Sequence, residues 1–214
     1  MRKLHLLTLA GMVLLVQPSW AAIVYTVQLD TSALVGKGAF SLDYQFIDGS
    51  GSPTDLNNNT VTAGGFNFGA GSPSGTAILF GGATGDLTGG VTLQDTQFFN
   101  EFTQGFNPGN LLSFNLQVTT NPDPGGVPDE LSFAILDSTG AEVATTGPAS
   151  EFFSVTIDSA NPTVLFYGSA PGAAFDIPAP SVTVASAVPE PGEMGLTLAW
   201  LLAMFWSRGR HRRR

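Results

Sequence analysis

The chain has 214 residues, 43% of them hydrophobic and 12% charged, with a net charge of −9 and no cysteine. That length and hydrophobic share suit one packed domain and exclude both a disordered chain and a disulfide scaffold. With 26 glycines and 14 prolines, the composition favours many turns and few long helices.

In chain order, residues 1–21 read as a secretory signal peptide. Arg2 and Lys3 form a positive start, residues 4–16 an apolar run, and Ser19 and Ala21 the small residues before a cut between Ala21 and Ala22. Signal peptidase and the secretion translocon are therefore the expected first partners. Strict apolar alternation then marks half-buried antiparallel strands at residues 23–30, 40–46, 112–119, 131–137 and 153–157. Shorter strand candidates lie at 61–68, 76–80, 98–102, 163–167 and 181–185. Gly- and Pro-rich clusters at 48–53, 69–75, 81–82, 121–126 and 138–140 separate them as chain reversals. About ten strands without an amphipathic helix predict an all-β fold, a single antiparallel β-sandwich of jelly-roll type. Its expected extent is 22–175, followed at 176–187 by a last strand running into a Pro/Ser/Ala-rich linker. Fifteen of the sixteen phenylalanines fall before residue 188 and are expected to build the core. The Phe98-Phe99 and Phe152-Phe153 pairs place one ring on each face, and a loop is expected to cover the outer ring of each.

Residues 22–187 contain no histidine, tryptophan or methionine and hold fifteen acidic residues against the single Lys37, a net charge of −14. One lysine cannot neutralise a run of phosphates, which excludes nucleic-acid binding. Without an imidazole or a thiol there is no Ser-His-Asp or Cys-His system and no zinc or copper site of the usual ligands. Paired carboxylates for glycoside hydrolysis survive this filter, with Asp43, Asp86, Asp95, Glu101, Asp123, Asp129, Glu130, Glu142 and Glu151 available. Their positions on outward strand faces and in turns favour solvated surface roles, so no enzymatic activity is expected.

The C-terminal end carries the most specific pattern. Pro189-Glu190-Pro191 precedes an uncharged, mostly apolar stretch at 194–207, which is followed by Arg208, Arg210, Arg212, Arg213 and Arg214. Terminal arginines after an apolar segment would be retained on the cytoplasmic side of a membrane. At 1.5 Å per residue the stretch spans roughly 21 Å, a minimal transmembrane helix. This order of parts after a signal peptide resembles the PEP-CTERM sorting signal, here residues 188–214. The resemblance implies a Gram-negative exosortase substrate, with Pro189, Glu190 and Pro191 as the recognition triplet and the five arginines as the membrane-retention cluster. It further implies transient anchoring in the inner membrane, then release to the cell surface or a biofilm matrix rich in exopolysaccharide. The blocks at 98–104, 108–109 and 133–137 are similar to a recurring ectodomain type of such proteins.

Two sites are suggested within the domain. Acidic loops with asparagine and glycine suit a structural calcium ion. One such loop runs from Asp48 to Asp55 with Asn57, Asn58 and Asn59; another holds Asp123, Asp129 and Glu130. Exopolysaccharide binding through Tyr25, Tyr44 or Tyr167 is the alternative to a purely structural or adhesive role. Tyr25 and Tyr44 stand in register with core positions, which favours packing over glycan contact.

Overall fold

The computed structural model describes residues 22–50, 56–123, 127–159 and 161–188. The expected signal peptide, Asp55, the Pro189-Glu190-Pro191 triplet, the apolar stretch and the arginine cluster lie outside them. Among the described residues no helix is long and apolar enough to cross a membrane. The chain is all-β, and the only helical element described is a 3-10 turn at Ser32–Leu34.

Thirteen strands are described: β1 (Ala22–Asp30), β2 (Phe40–Ile47), β3 (Thr60–Asn67), β4 (Ser72–Pro73), β5 (Ile78–Phe80), β6 (Gly82–Asp86), β7 (Gly90–Gln94), β8 (Phe99–Asn107), β9 (Leu111–Thr119), β10 (Asp129–Leu136), β11 (Phe153–Ile157), β12 (Thr163–Phe166) and β13 (Ser181–Val188). They form two antiparallel sheets. The first has the order β13-β1-β9-β3-β7-β6; the second has β12-β11-β10-β2-β8-β4, with β5 also paired to β8.

Alternation decides which side chains meet. In the first sheet Tyr25, Val27 and Leu29 pair with Leu116, Phe114 and Leu112. In the second, Tyr44 sits between Phe102 and Phe133, and Leu42 opposite Ile135. These inward rows share one core. The ring of Phe114, from the first sheet, lies 5.8 Å from Tyr44 and 5.6 Å from Phe133 of the second. Full burial of each such ring contributes roughly 1.5–3 kcal/mol.

The structure departs from the sequence expectations at several points. The hairpin of β6 and β7 was not expected. Gly81 does turn the chain (φ +63°), but Gly82 already opens β6. β13 pairs with β1 as far as Val188, beyond the expected end at residue 185. Both Phe152 and Phe153 are buried, as the covering-loop expectation required, whereas the ring of Phe98 is 59% exposed. It stands just outside β8, near β5, whose Ile78, Leu79 and Phe80 are also exposed.

Candidate functional site

Among the described residues, the buried polar groups Asp48, Asn59, Asp95, Thr120 and Asp129 gather at one end of the two sheets. There β2, β7 and β9 leave and β3 and β10 enter, so the segments around Asp48, Asn58, Asn59, Asp95, Asp123 and Asp129 converge. The register of β2 with β10 pairs Ile47 with Glu130, which brings the neighbouring Asp48 and Asp129 together across 81 positions of sequence. Carboxylate oxygens of Asp48, Asp123 and Asp129 lie within 4.8 Å of one another.

Asparagines frame this cluster. The side-chain amide of Asn59 donates to Asp129 Oδ2 (2.8 Å) and to the Asn121 carbonyl (2.8 Å). Its carbonyl oxygen accepts from the Thr119 hydroxyl (3.0 Å) and from the Asn121 N–H (3.0 Å). The side-chain amide of Asn58 donates to Asp123 Oδ1. Asp129 Oδ1 accepts the Gly49 N–H (3.0 Å), and Asp48 Oδ1 accepts the Ser50 N–H (2.9 Å). Asn57, in the left-handed region at φ +68°, lets the chain turn into this arrangement.

Asp95 stands beside the three. It is fully buried, and its Oδ2 accepts the backbone N–H groups of Asn58 (3.2 Å) and Asn59 (3.0 Å). Its Oδ1 has no hydrogen-bond partner, and neither has the buried side-chain oxygen of Asn58. Burial, with the charge of Asp129 added, pushes the Asp95 carboxyl up to about 6 despite the two N–H donors. Burial likewise raises Asp129, opposed by Asn59 and Gly49 and reinforced by the charges of Asp123 and Asp48.

Of the residues expected to hold calcium, Asp48, Asp123 and Asp129 therefore meet in one cluster instead of forming two separate loops. Glu130 does not join them. As the neighbour of Asp129 on β10, its side chain projects to the opposite face of the sheet and is exposed. The sequence reading missed Asp95 as a member, because it follows the unexpected strand β7. The expectation that the carboxylates are surface groups also fails for Asp43, Asp95, Asp129 and Glu151, all of which are buried.

A second acidic group lies on the outer face of the second sheet. Asp43 accepts from the Gln45 amide (2.8 Å) and the Thr103 hydroxyl (3.1 Å). Burial raises its pKa; burial and then the charge of Asp43 raise those of Glu101 and Glu142. Lys37, the only Lys or Arg among the described residues, is exposed on the loop before β2. Tyr44 and Tyr25 are buried in the core, as expected. Tyr25 also borders an open groove of about 470 Å³ with Ile23, Asn161, Val164, Phe166 and Val182 among its lining residues.

No family model, curated protein or solved structure matches this chain.

Proposed function

We propose that this chain is an exported, exosortase-sorted protein of the PEP-CTERM type. Its acidic β-sandwich, of jelly-roll type, serves a structural or adhesive role at the cell surface or in the extracellular polymer layer. The observation that carries the sorting half is positional. The last strand of the packed unit ends at Val188, and Pro189-Glu190-Pro191 begins at the next residue, with the apolar stretch and the arginine cluster after it. A sorting enzyme in the membrane would meet that triplet directly beside a folded body.

The jelly-roll assignment is supported by the way the chain alternates between sheets. It passes from β1 to β2 to β3, and later from β7 through β8 and β9 to β10, changing sheet at each step. A non-enzymatic role is supported by the burial of Asp95 and Asp129, which withdraws that pair of carboxylates from a sugar. Exopolysaccharide binding is the second reading, favoured by the groove that Tyr25 and Asn161 border.

The sorting reading is tested in a Gram-negative host that carries an exosortase, by replacing Pro189, Glu190 and Pro191 with alanine. The native chain is expected to lose its tail and leave the inner membrane, and the triple variant to remain there at unprocessed mass. Identical processing of both would refute it. Retardation of the native chain in gels containing the host's exopolysaccharide would instead favour the second reading.

A further inference from the structure

We infer that Asp48, Asp123 and Asp129, backed by Asp95 and Asn58, form a calcium-binding site that clasps the two sheets together at one end. This goes beyond the sorting proposal and does not depend on it, since the site lies wholly within the packed unit.

Three observations converge. The first is the cluster itself, with oxygens from three carboxylates within 4.8 Å of one another. The second is independent of it. Asp95, fully buried and held by the N–H groups of the same asparagines whose side chains grip Asp123 and Asp129, carries an acceptor oxygen without a hydrogen-bond partner and stands close enough to Asp129 for the two charges to interact. The Asn58 side-chain oxygen is a second such acceptor. A buried acceptor without a donor costs about 1–3 kcal/mol, more if charged. Two of them beside three further carboxylates describe a place rich in electron pairs. The third is that Lys37, the one Lys or Arg among the described residues, stands exposed on the loop before β2. Carboxylates gathered in a buried place repel one another, and a bound divalent ion reverses that balance.

The donor set selects the ion. All the donors are oxygens, which suits a hard cation rather than zinc or copper. Two oxygens on one calcium ion, each at 2.3–2.6 Å, stand at most about 5 Å apart, so the observed separations fit. Two oxygens on magnesium, at 2.0–2.1 Å, stand at most about 4.2 Å apart, a tighter cage than the 4.8 Å limit within which these oxygens lie requires. Magnesium also parts reluctantly with its water.

The test uses the full-length chain in chelator-treated buffer with detergent, titrated with calcium chloride or magnesium chloride and followed by calorimetry. Saturating calcium is expected to bind near one ion per chain and to raise the melting temperature by roughly 5–10 °C. Magnesium should give less than half that shift. Asp123→Asn should lose the calcium shift while melting no lower than the native chain without metal, because removing one carboxylate relieves repulsion. Glu130→Gln, on the opposite face, should keep the full shift. The inference is overturned if the folded native chain shows neither heat nor shift at about 10 mM calcium, a level above that needed by weak extracellular sites. It is equally overturned by an equal response to magnesium, by a stoichiometry of many ions per chain, or by an undiminished shift in Asp123→Asn. Should that variant fail to fold, the native stoichiometry and the calcium-to-magnesium ratio decide.

Discussion

The side-chain amide of Asn59, at the mouth of β3 in the first sheet, donates to Asp129 Oδ2 at the start of β10 in the second, across 2.8 Å. The bond ties the sheets at the end where their connecting segments converge. Asn59 is buried, and all its side-chain hydrogen-bonding capacity is used within the protein. Asn59→Ala would take a partner from Asp129 Oδ2, from the Asn121 carbonyl and from the Asn121 N–H together. A loss of about 3 kcal/mol is expected from such a hub, read by urea denaturation of the full-length chain. A loss under about 0.5 kcal/mol, in the range of an ordinary surface substitution, would mean that the bond does not join the sheets.

Tyr44 presents the opposite case. Its ring is packed among Phe102, Phe114 and Phe133, but its buried hydroxyl has no hydrogen-bond partner. Removing that oxygen leaves the apolar contacts in place. Tyr44→Phe is expected to stabilise the chain by about 1 kcal/mol, seen as a higher denaturation midpoint at unchanged slope. Destabilisation of that size would show that the hydroxyl is hydrogen-bonded in solution.

The outer acidic face adds to the pH dependence that Asp95, raised to about 6, and Asp129 set at the end of the sheets. Asp43, Glu101 and Glu142 all have pKa values raised on folding, so the folded chain holds their protons more tightly than the unfolded chain does. Their contribution is complete below the ordinary carboxylate range, near pH 4, and is lost as pH rises through the elevated folded values. Asp30, Asp86 and Asp137 behave in the reverse sense, since turn hydrogen bonds lower them. Their contribution is present above the ordinary range and is lost only in stronger acid. In metal-free, low-salt buffer the melting temperature should therefore rise as pH falls from 7 to about 5, then drop below about 4. Asp43→Asn should flatten the upper part of that profile. An unchanged slope in the variant would show that Asp43 is not its source.

Glycine positions offer a paired test of packing. An alanine Cβ at Gly109 would stand 2.0 Å from the Phe68 carbonyl oxygen, whereas one at Gly64 would meet nothing within 4 Å. Neither position has a positive φ. Gly109→Ala is expected to cost more than about 2 kcal/mol, and Gly64→Ala to be neutral or to stabilise by about 0.5 kcal/mol through loss of unfolded-state entropy. Equal melting temperatures for the two variants would contradict the close approach of the 68–71 and 107–109 segments.

The sequence revealed strands wherever large apolar residues alternate, as in Leu112, Phe114, Leu116 and Val118 of β9. It concealed β6, where Gly82, Ala83 and Gly85 carry too little apolar surface to mark an inward row, and β7, whose inward row is only Val91 and Leu93. That omission hid part of the acidic end, because Asp95 has meaning only once β7 is placed beside β3. The three aspartates at 48, 123 and 129 were recognisable as candidates but not as one cluster. Their meeting depends on the pairing of β2 with β10, a contact between segments about 80 residues apart that no local pattern encodes. Glu130 was misassigned for the same reason. A loop reading ignores the alternation that, once β10 begins at Asp129, sends the next side chain to the other face.

The central claim, that the chain is a sorted surface protein, is tested most directly by following the native chain in an exosortase-bearing host and in the same host with the exosortase gene deleted. Mass spectrometry and fractionation would read the outcome. Loss of the residues after the Pro189-Glu190-Pro191 region, with release from the inner membrane only when the enzyme is present, is the predicted result. The same mass and the same fraction in both hosts would contradict the proposal.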